Sequence, residues 1–168
     1  RLTHLEDVEG ILHWDSATVM PTGGTEQRGD QIATLKSIHH GTLTDPEIGE
    51  LLARANEDQK LDDWQRANLR EMERQFIRAT AIDEQLVGAL AKATARCESA
   101  WRVARADDDF KGVKSHLTEV LSLVKEEAAA LGQALDCDDY DALLDAHAPG
   151  IRSDQLDPLF ADVGTLLP

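Results

Sequence analysis

Sulfur, aromatic rings and positive charge are all scarce in this chain, and each shortage removes a class of protein. Cys97 and Cys137 are the only cysteines in 168 residues. Two such distant thiols can build neither a disulfide framework nor a Cys-x-x-Cys metal knuckle, and reduced thiols in the cytoplasm are the default expectation. Lysine and arginine number 17 against 32 acids, a formal net charge of −15. A nucleic-acid backbone or an anionic membrane surface would repel such a chain. No run approaches the roughly 20 apolar residues of a membrane span, and Arg1–Gly10 lacks a signal-peptide core. Only seven residues are aromatic (Trp 3, Tyr 1, Phe 3), yet the hydrophobic fraction of 42% is too high for a disordered acidic chain. The length fits one domain with a real core, residues 1–168 forming a single helical region.

Catalytic signatures are equally sparse. The eleven glycines never fall into a Gly-x-Ser-x-Gly elbow, a phosphate-cradling loop or a dinucleotide fingerprint. None of the six histidines has Glu three residues before it, and no two stand four apart, so neither a di-iron nor a helical zinc motif is present.

What the sequence does hold is helical periodicity, with no alternating β-pattern. The expected fold is all-α, an array of about seven to eight helices with two long central ones. The stripe Leu2, Leu5, Val8, Ile11 and Leu12 continues to Met20, where Pro21 and Gly23-Gly24 end the first helix. A second helix runs from about Thr25 to Gly41, read as a left-handed terminator. Thr44-Asp45-Pro46-Glu47 reads as a capping box with proline in the first turn. A third helix carries Ile48, Leu51, Leu52 and Ala55. A fourth starts near the Asp62 cap and should bury Trp64, Ala67, Met72 and Phe76. The two long helices follow: one from Asp83 to the Asp107–Asp109 interruption, one from Phe110 to Gly132 as its terminator. A short helix at Tyr140–Leu144 and a last one from a Ser153 cap complete the chain.

Several polar groups invite a functional reading beside a plain one. Adjacent side chains on a helix diverge by about 100°, so His39 and His40 cannot share an ion, and a helix-capping role is the plain account. Glu9 and His13, four apart, make either a surface hydrogen bond or a dyad. Arg66, Arg70, Arg74 and Arg78 recur every four residues. They serve either ion pairs with Asp62, Glu71 and neighbouring acidic faces, or a docking surface for carboxylates. Trp14-Asp15 reads as a packed corner in which Asp15 caps or pairs locally.

Ile11-Leu12-His13-Trp14-Asp15-Ser16-Ala17-Thr18-Val19-Met20-Pro21-Thr22-Gly23-Gly24, with Arg28, Gln31 and Leu35, resembles the N-terminal segment of the thermostable carboxypeptidase (carboxypeptidase Taq) family of metallopeptidases. Ala67-Asn68-Leu69-Arg70-Glu71, Trp101 with Ala104-Arg105 and Asp109-Phe110, Glu127-Ala128, Tyr140–Asp145 with Pro149-Gly150, and Leu159-Phe160 are similar to it in the same order. His147 and Lys114 depart from the pattern. The resemblance implies the N-terminal part of an all-helical, cytoplasmic, usually homodimeric zinc carboxypeptidase that takes single residues from peptide C-termini. This segment would flank and cover the active-site groove. The family's His-Glu-x-x-His helix belongs to its later part and has no counterpart here, so the resemblance assigns no catalytic, cofactor-binding or metal-binding residue to this chain. The competing reading is a non-enzymatic acidic helical module with a basic partner. A third, a degenerate member whose gene ends near Pro168, sits badly with the apolar run Val163–Leu167, which should have something to pack against.

Overall fold

Nothing but helix and connecting turn occurs in the computed structural model, which describes residues 1–167; Pro168 lies outside the described residues. In order these are α1 (Leu2–Thr18), a 3₁₀ turn at Thr22–Gly24, α2 (Thr25–Leu43), α3 (Pro46–Asn56), α4 (Asp63–Thr80), α5 (Glu84–Ala106), α6 (Phe110–Leu135), α7 (Asp139–Leu144) and α8 (Ser153–Leu166). The all-α expectation holds, and the two long helices are α5 and α6, of 23 and 26 residues.

The surplus of aspartate is partly spent on helix starts. Asp45, Asp62, Asp83 and Asp109 each accept a first-turn backbone N–H, from Glu47, Gln65, Leu86 and Gly112 at 2.8–3.1 Å. Each satisfies one of the four N–H groups a helix start leaves unpaired, and its charge faces the positive end of the dipole. Asp62 and Gln65 close a full capping box, because the Gln65 side chain also accepts from Asp62 N–H at 3.0 Å. Before α3 the cap is Asp45 rather than a Thr44–Glu47 box; the Thr44 hydroxyl turns back to the His40 carbonyl at 2.9 Å.

Two glycines expected to stop helices lie inside them. α2 runs through Gly41 to Leu43, and Gly41 does not take the left-handed conformation. α6 runs through Gly132 to Leu135 and ends on Asp136, which takes the left-handed conformation itself at φ 50°. Gly132 serves a different purpose. A Cβ there would lie 2.9 Å from the Cys137 carbonyl oxygen and 3.0 Å from Asp139 Oδ1, so it leaves room for the turn that folds α7 back over α6.

The core is built of small and aliphatic side chains along α2, α5 and α6. Ile32, Ala33, Ala91, Ala93, Ala104, Val113, Ala128 and Leu131 are buried, and Leu131 is completely so. α2 and α5 run antiparallel. A Cβ on Gly29 would sit 3.6 Å from that of Ala95, the Thr25 and Ser99 hydroxyls meet at 3.0 Å, and Ser37 bonds Glu84. Lys92–Asp30 and Arg96–Glu119, both at 2.7 Å, bridge α5 to α2 and to α6. α1 lies antiparallel on α2 through Glu9–Lys36 and Asp15–Arg28. On α4 the buried residue is Leu69, whereas Trp64 and Met72, expected in the core, are 76% and 51% exposed. Periodicity marks an apolar face; whether another element covers it is a tertiary matter.

α7 is fixed to α4 by a half of the arginine stripe. Asp145 is buried, and its Oδ2 accepts from Arg74 at 3.1 Å and Arg78 at 3.2 Å while Oδ1 accepts from Gly150 N–H at 3.0 Å. Arg78 also donates to the Ala142 carbonyl at 3.0 Å, and Arg74 to Glu71 at 2.9 Å. Burial pushes the Asp145 carboxyl up, but the Gly150 N–H and the two guanidinium groups outweigh it, leaving it below its ordinary value. One turn earlier, buried Asp141 accepts the Ser153 N–H at 2.8 Å. Ser153 is therefore the first residue of α8 and not its cap: the start of that helix is held by a carboxylate from α7, with Gln155 accepting from Arg152 N–H at 3.1 Å. From Asp157 onward every described residue of α8 is exposed.

Gly132→Ala is expected to lower the melting temperature, because the backbone contact at 2.9 Å overrides the gain in helix propensity of about 1 kcal/mol. Gly10→Ala, in α1 with open space around it, should raise stability by up to that amount, and thermal melts of the two variants test the opposition. Asp145→Ala leaves two guanidinium groups facing each other and should cost about 3 kcal/mol. A carboxyl depressed in the folded state stabilises above its ordinary value of 3.8, and that stability is lost as the pH falls below it. Urea unfolding of the unsubstituted chain should weaken more steeply on acidification than that of Asp145→Asn.

Candidate functional site

α1 and α5 both pack on α2, and a groove of about 300 Å³ opens along α2 between them. Its floor is one face of α2, with Arg28, Ile32 and Lys36 at four-residue spacing. His13 and Ser16 of α1 form one wall and Leu86, Leu90 and Thr94 of α5 the other, with Glu127 of α6 beside Lys36. The centre is apolar and the ends carry charge.

Most of that charge is already matched. Lys36 Nζ lies 2.8 Å from Glu9, which also meets His13 Nε2 at 3.2 Å. Burial raises the Glu9 carboxyl, but Lys36 and His13 more than reverse the effect and it falls below the usual carboxylate range. The Arg28 guanidinium pairs with Asp15 at 2.6 Å and donates to the Leu12 carbonyl at 2.9 Å, while its Nε is buried with no hydrogen-bond partner. Arg102 pairs with Glu98 at 2.6 Å and donates to the Ala17 carbonyl at 3.2 Å. Glu127 differs: burial lifts its carboxyl above the ordinary value, the charges of Arg78 and Lys36 only partly offset this, and no hydrogen bond reaches it from a described residue.

The other polar groups singled out from sequence find structural work. Glu9–His13 is a hydrogen bond within a Lys36 ion pair, and the Ser16 hydroxyl on the same wall donates to the Leu12 carbonyl at 2.8 Å. His39 meets Glu6 at 3.2 Å. His40 Nε2 stands 3.0 Å from the Ala79 carbonyl and 2.7 Å from that of Ile82, so it caps the end of α4 rather than of its own helix. Asp15 pairs with Arg28, and its carbonyl accepts from Met20 N–H at 2.9 Å, closing the turn before Pro21. The corner is not packed around the indole, since Trp14 is 62% exposed. In the arginine stripe, Arg74 pairs with Glu71 and Asp145 and Arg78 with Asp145, while Arg66 donates to the Gln59 carbonyl at 3.2 Å and Arg70 is exposed. Asp62, expected among the partners, caps α4 instead.

Sequence reasoning passed over Asp141, Asp145 and Glu127 as working groups. For the first two a signal existed: two aspartates four apart on a short helix after a surplus of acid. Glu127 had none, because its solitude depends on which cations other helices have already claimed.

Among the described residues no three His, Cys, Asp or Glu side chains converge as a metal's ligands. The described residues therefore do not fit a catalytic metal, which needs three protein ligands around an open position. No helix of the described residues is long and apolar enough to cross a membrane. The groove can take up an elongated apolar segment; it holds no paired nucleophile and base.

The family model of the carboxypeptidase Taq (M32) metallopeptidases matches residues 1–168. The chain is 36% identical to thermostable carboxypeptidase 1 of Thermus thermophilus over 170 aligned positions, 95% of this chain but 33% of the relative. Among solved structures, Trypanosoma cruzi metallocarboxypeptidase 1 superposes with a TM-score of 0.80 at 32% identity, and the BsuCP crystal structure with 0.87 at 25%. These cover 99% and 96% of this chain and 34% and 32% of the respective structures. The chain thus spans about a third of the length of the relatives it matches, and it belongs to the carboxypeptidase Taq (M32) metallopeptidase family.

Proposed function

We propose that this chain is the N-terminal third of a zinc-dependent metallocarboxypeptidase that removes single residues from peptide C-termini, and that its helices flank and cover the active-site groove. The observation that carries the reading is a family match over the whole chain joined to a chain that spans a third of its relatives and brings no metal-ligand set together. The metal, which polarises the scissile carbonyl and activates water, and the general base both fall to the rest of the polypeptide. The share of these helices is to shape access and exclude bulk water. The whole enzyme is proposed as a cytoplasmic homodimer acting on peptides.

The acidic-module alternative gains little support, because much of the acid has local employment: four aspartates cap helices, and Asp15, Glu9, Asp30, Asp145, Glu98 and Glu119 hold cations of this same chain.

Metal analysis and a peptide-release assay test the division of labour. Residues 1–168 alone should take up no stoichiometric zinc and release no C-terminal residue. The polypeptide extended through the later part should release single residues in a reaction that a chelator stops and zinc restores. Chelator-sensitive release by residues 1–168 alone would overturn the proposal, and a parent gene with no in-frame His-Glu-x-x-His would leave the acidic module.

A further inference from the structure

The α1–α2–α5 groove has the form of a helical bundle with one member missing. α2 is covered on one side by α1 and on another by α5, and the side between them is open. Ile32 and Ala91 are buried at its base, Leu86 and Leu90 stand half-buried one turn apart on its wall, and Thr94 is exposed at its lip. A row of anchors at this spacing is what an amphipathic helix presents when it lies in an apolar groove. The cavity has room for a few side chains, as a helix face would insert, rather than for a folded domain.

Electrostatics narrows the occupant further. Lys36, Arg28 and Arg102 already hold Glu9, Asp15 and Glu98, so the groove has little free positive charge to offer an acidic ligand. Apart from the buried Arg28 Nε, the charged group there without a hydrogen bond or ion pair from a described residue is the carboxyl of Glu127, half-buried and acted on by the charges of Arg78 and Lys36 without a direct contact to either. Sealing that end under another element would bury the carboxyl altogether, at a cost of several kcal/mol unless a cation or donor arrives with the element that covers it. The relatives carry about two-thirds of their length beyond what this chain matches, which supplies the covering polypeptide.

We propose that the groove seats one amphipathic helix from the later part of the same polypeptide, with its apolar face against Ile32, Leu86 and Leu90 and an Arg or Lys directed at Glu127. The proposal rests on the reading of the chain as the first third of a longer enzyme. It adds a surface, a kind of occupant and a charge that the occupant must bring.

The test uses the whole polypeptide with Cys97, Cys137 and every cysteine of the later part replaced by Ser and a single reporter, Thr94→Cys. Position 94 is exposed in the structure of residues 1–167, so any protection must come from a covering element. Maleimide labelling in native buffer is expected to be at least about 100-fold slower than in urea, independent of protein concentration. A second reporter, His13→Cys, also exposed and on the opposite wall, should show the same protection and guards against a local effect at Thr94. Adding Glu127→Ala should speed labelling of both about 10-fold by removing the cation's partner. Labelling as fast as in urea, while the enzyme still releases C-terminal residues, would overturn the docking and leave the enzymatic reading standing. Protection that vanishes on dilution would give the groove to a second copy and equally overturn it. Unchanged protection in Glu127→Ala would overturn the assigned cation. A whole polypeptide with no peptidase activity and no metal motif would instead strike at the enzymatic reading itself.

Discussion

The close approach of α2 and α6 to α5 is the constraint from which the rest of the molecule follows. With seven aromatic residues in 168, the chain cannot build its centre from large rings. It uses Gly29 against Ala95 and a run of buried alanines, Ala91, Ala93, Ala104 and Ala128, closed by Leu131. Small side chains let helix axes come near and multiply weak dispersion contacts between backbones. That leaves the bulky residues, Trp14, Trp64, Phe110 and Phe160 among them, on outer faces where this part of the polypeptide offers them no cover.

Charge is arranged around that frame in two ways. Aspartates placed just before a helical run act locally, each capping the helix that follows. Carboxylates within or at the end of a helix act at a distance, joining elements that the aliphatic core does not reach. Asp145 holds Arg74 and Arg78, and Asp141 receives the first N–H of α8. α7 is only six residues long, yet through these two carboxylates it ties α4 to the loop at Gly150 and sets where α8 begins. Part of the acidic composition that at first suggests a basic partner is thus internal equipment, although a net charge of −15 remains. In the groove the carboxylate left without a hydrogen bond or ion pair is Glu127.

Hydrolysis of a peptide bond with a metal requires three ligands brought to one point, and among the described residues no three such side chains converge. What the helices present instead is a groove whose α1 and α5 walls are each ion-paired to α2, through Glu9–Lys36 and Asp15–Arg28 on one side and Lys92–Asp30 on the other.

The sequence by itself determined the helices, the positions of most of their starts, and the family, because periodicity, Asp caps and ordered short motifs are local and need no partner. Four of the helices among the described residues are capped by the side chains of aspartates visible in the sequence, and the breaks at Pro21 and at Asp107–Asp109 fall where the pattern stops. Where the reading of a local signal failed, a distant group had taken over. Gly132 stays helical because the turn at Cys137 and Asp139 needs its missing Cβ, and Ser153 needs no capping side chain because Asp141 supplies one. Only the tertiary structure decided that Arg74 and Arg78 would meet a carboxylate 71 and 67 residues away, or that Lys36 would be claimed by Glu9 while Glu127 was left without a hydrogen bond or ion pair. A hydrophobic face or an isolated charge is written in the sequence; its partner is chosen when helices far apart along the chain are brought within a few ångströms.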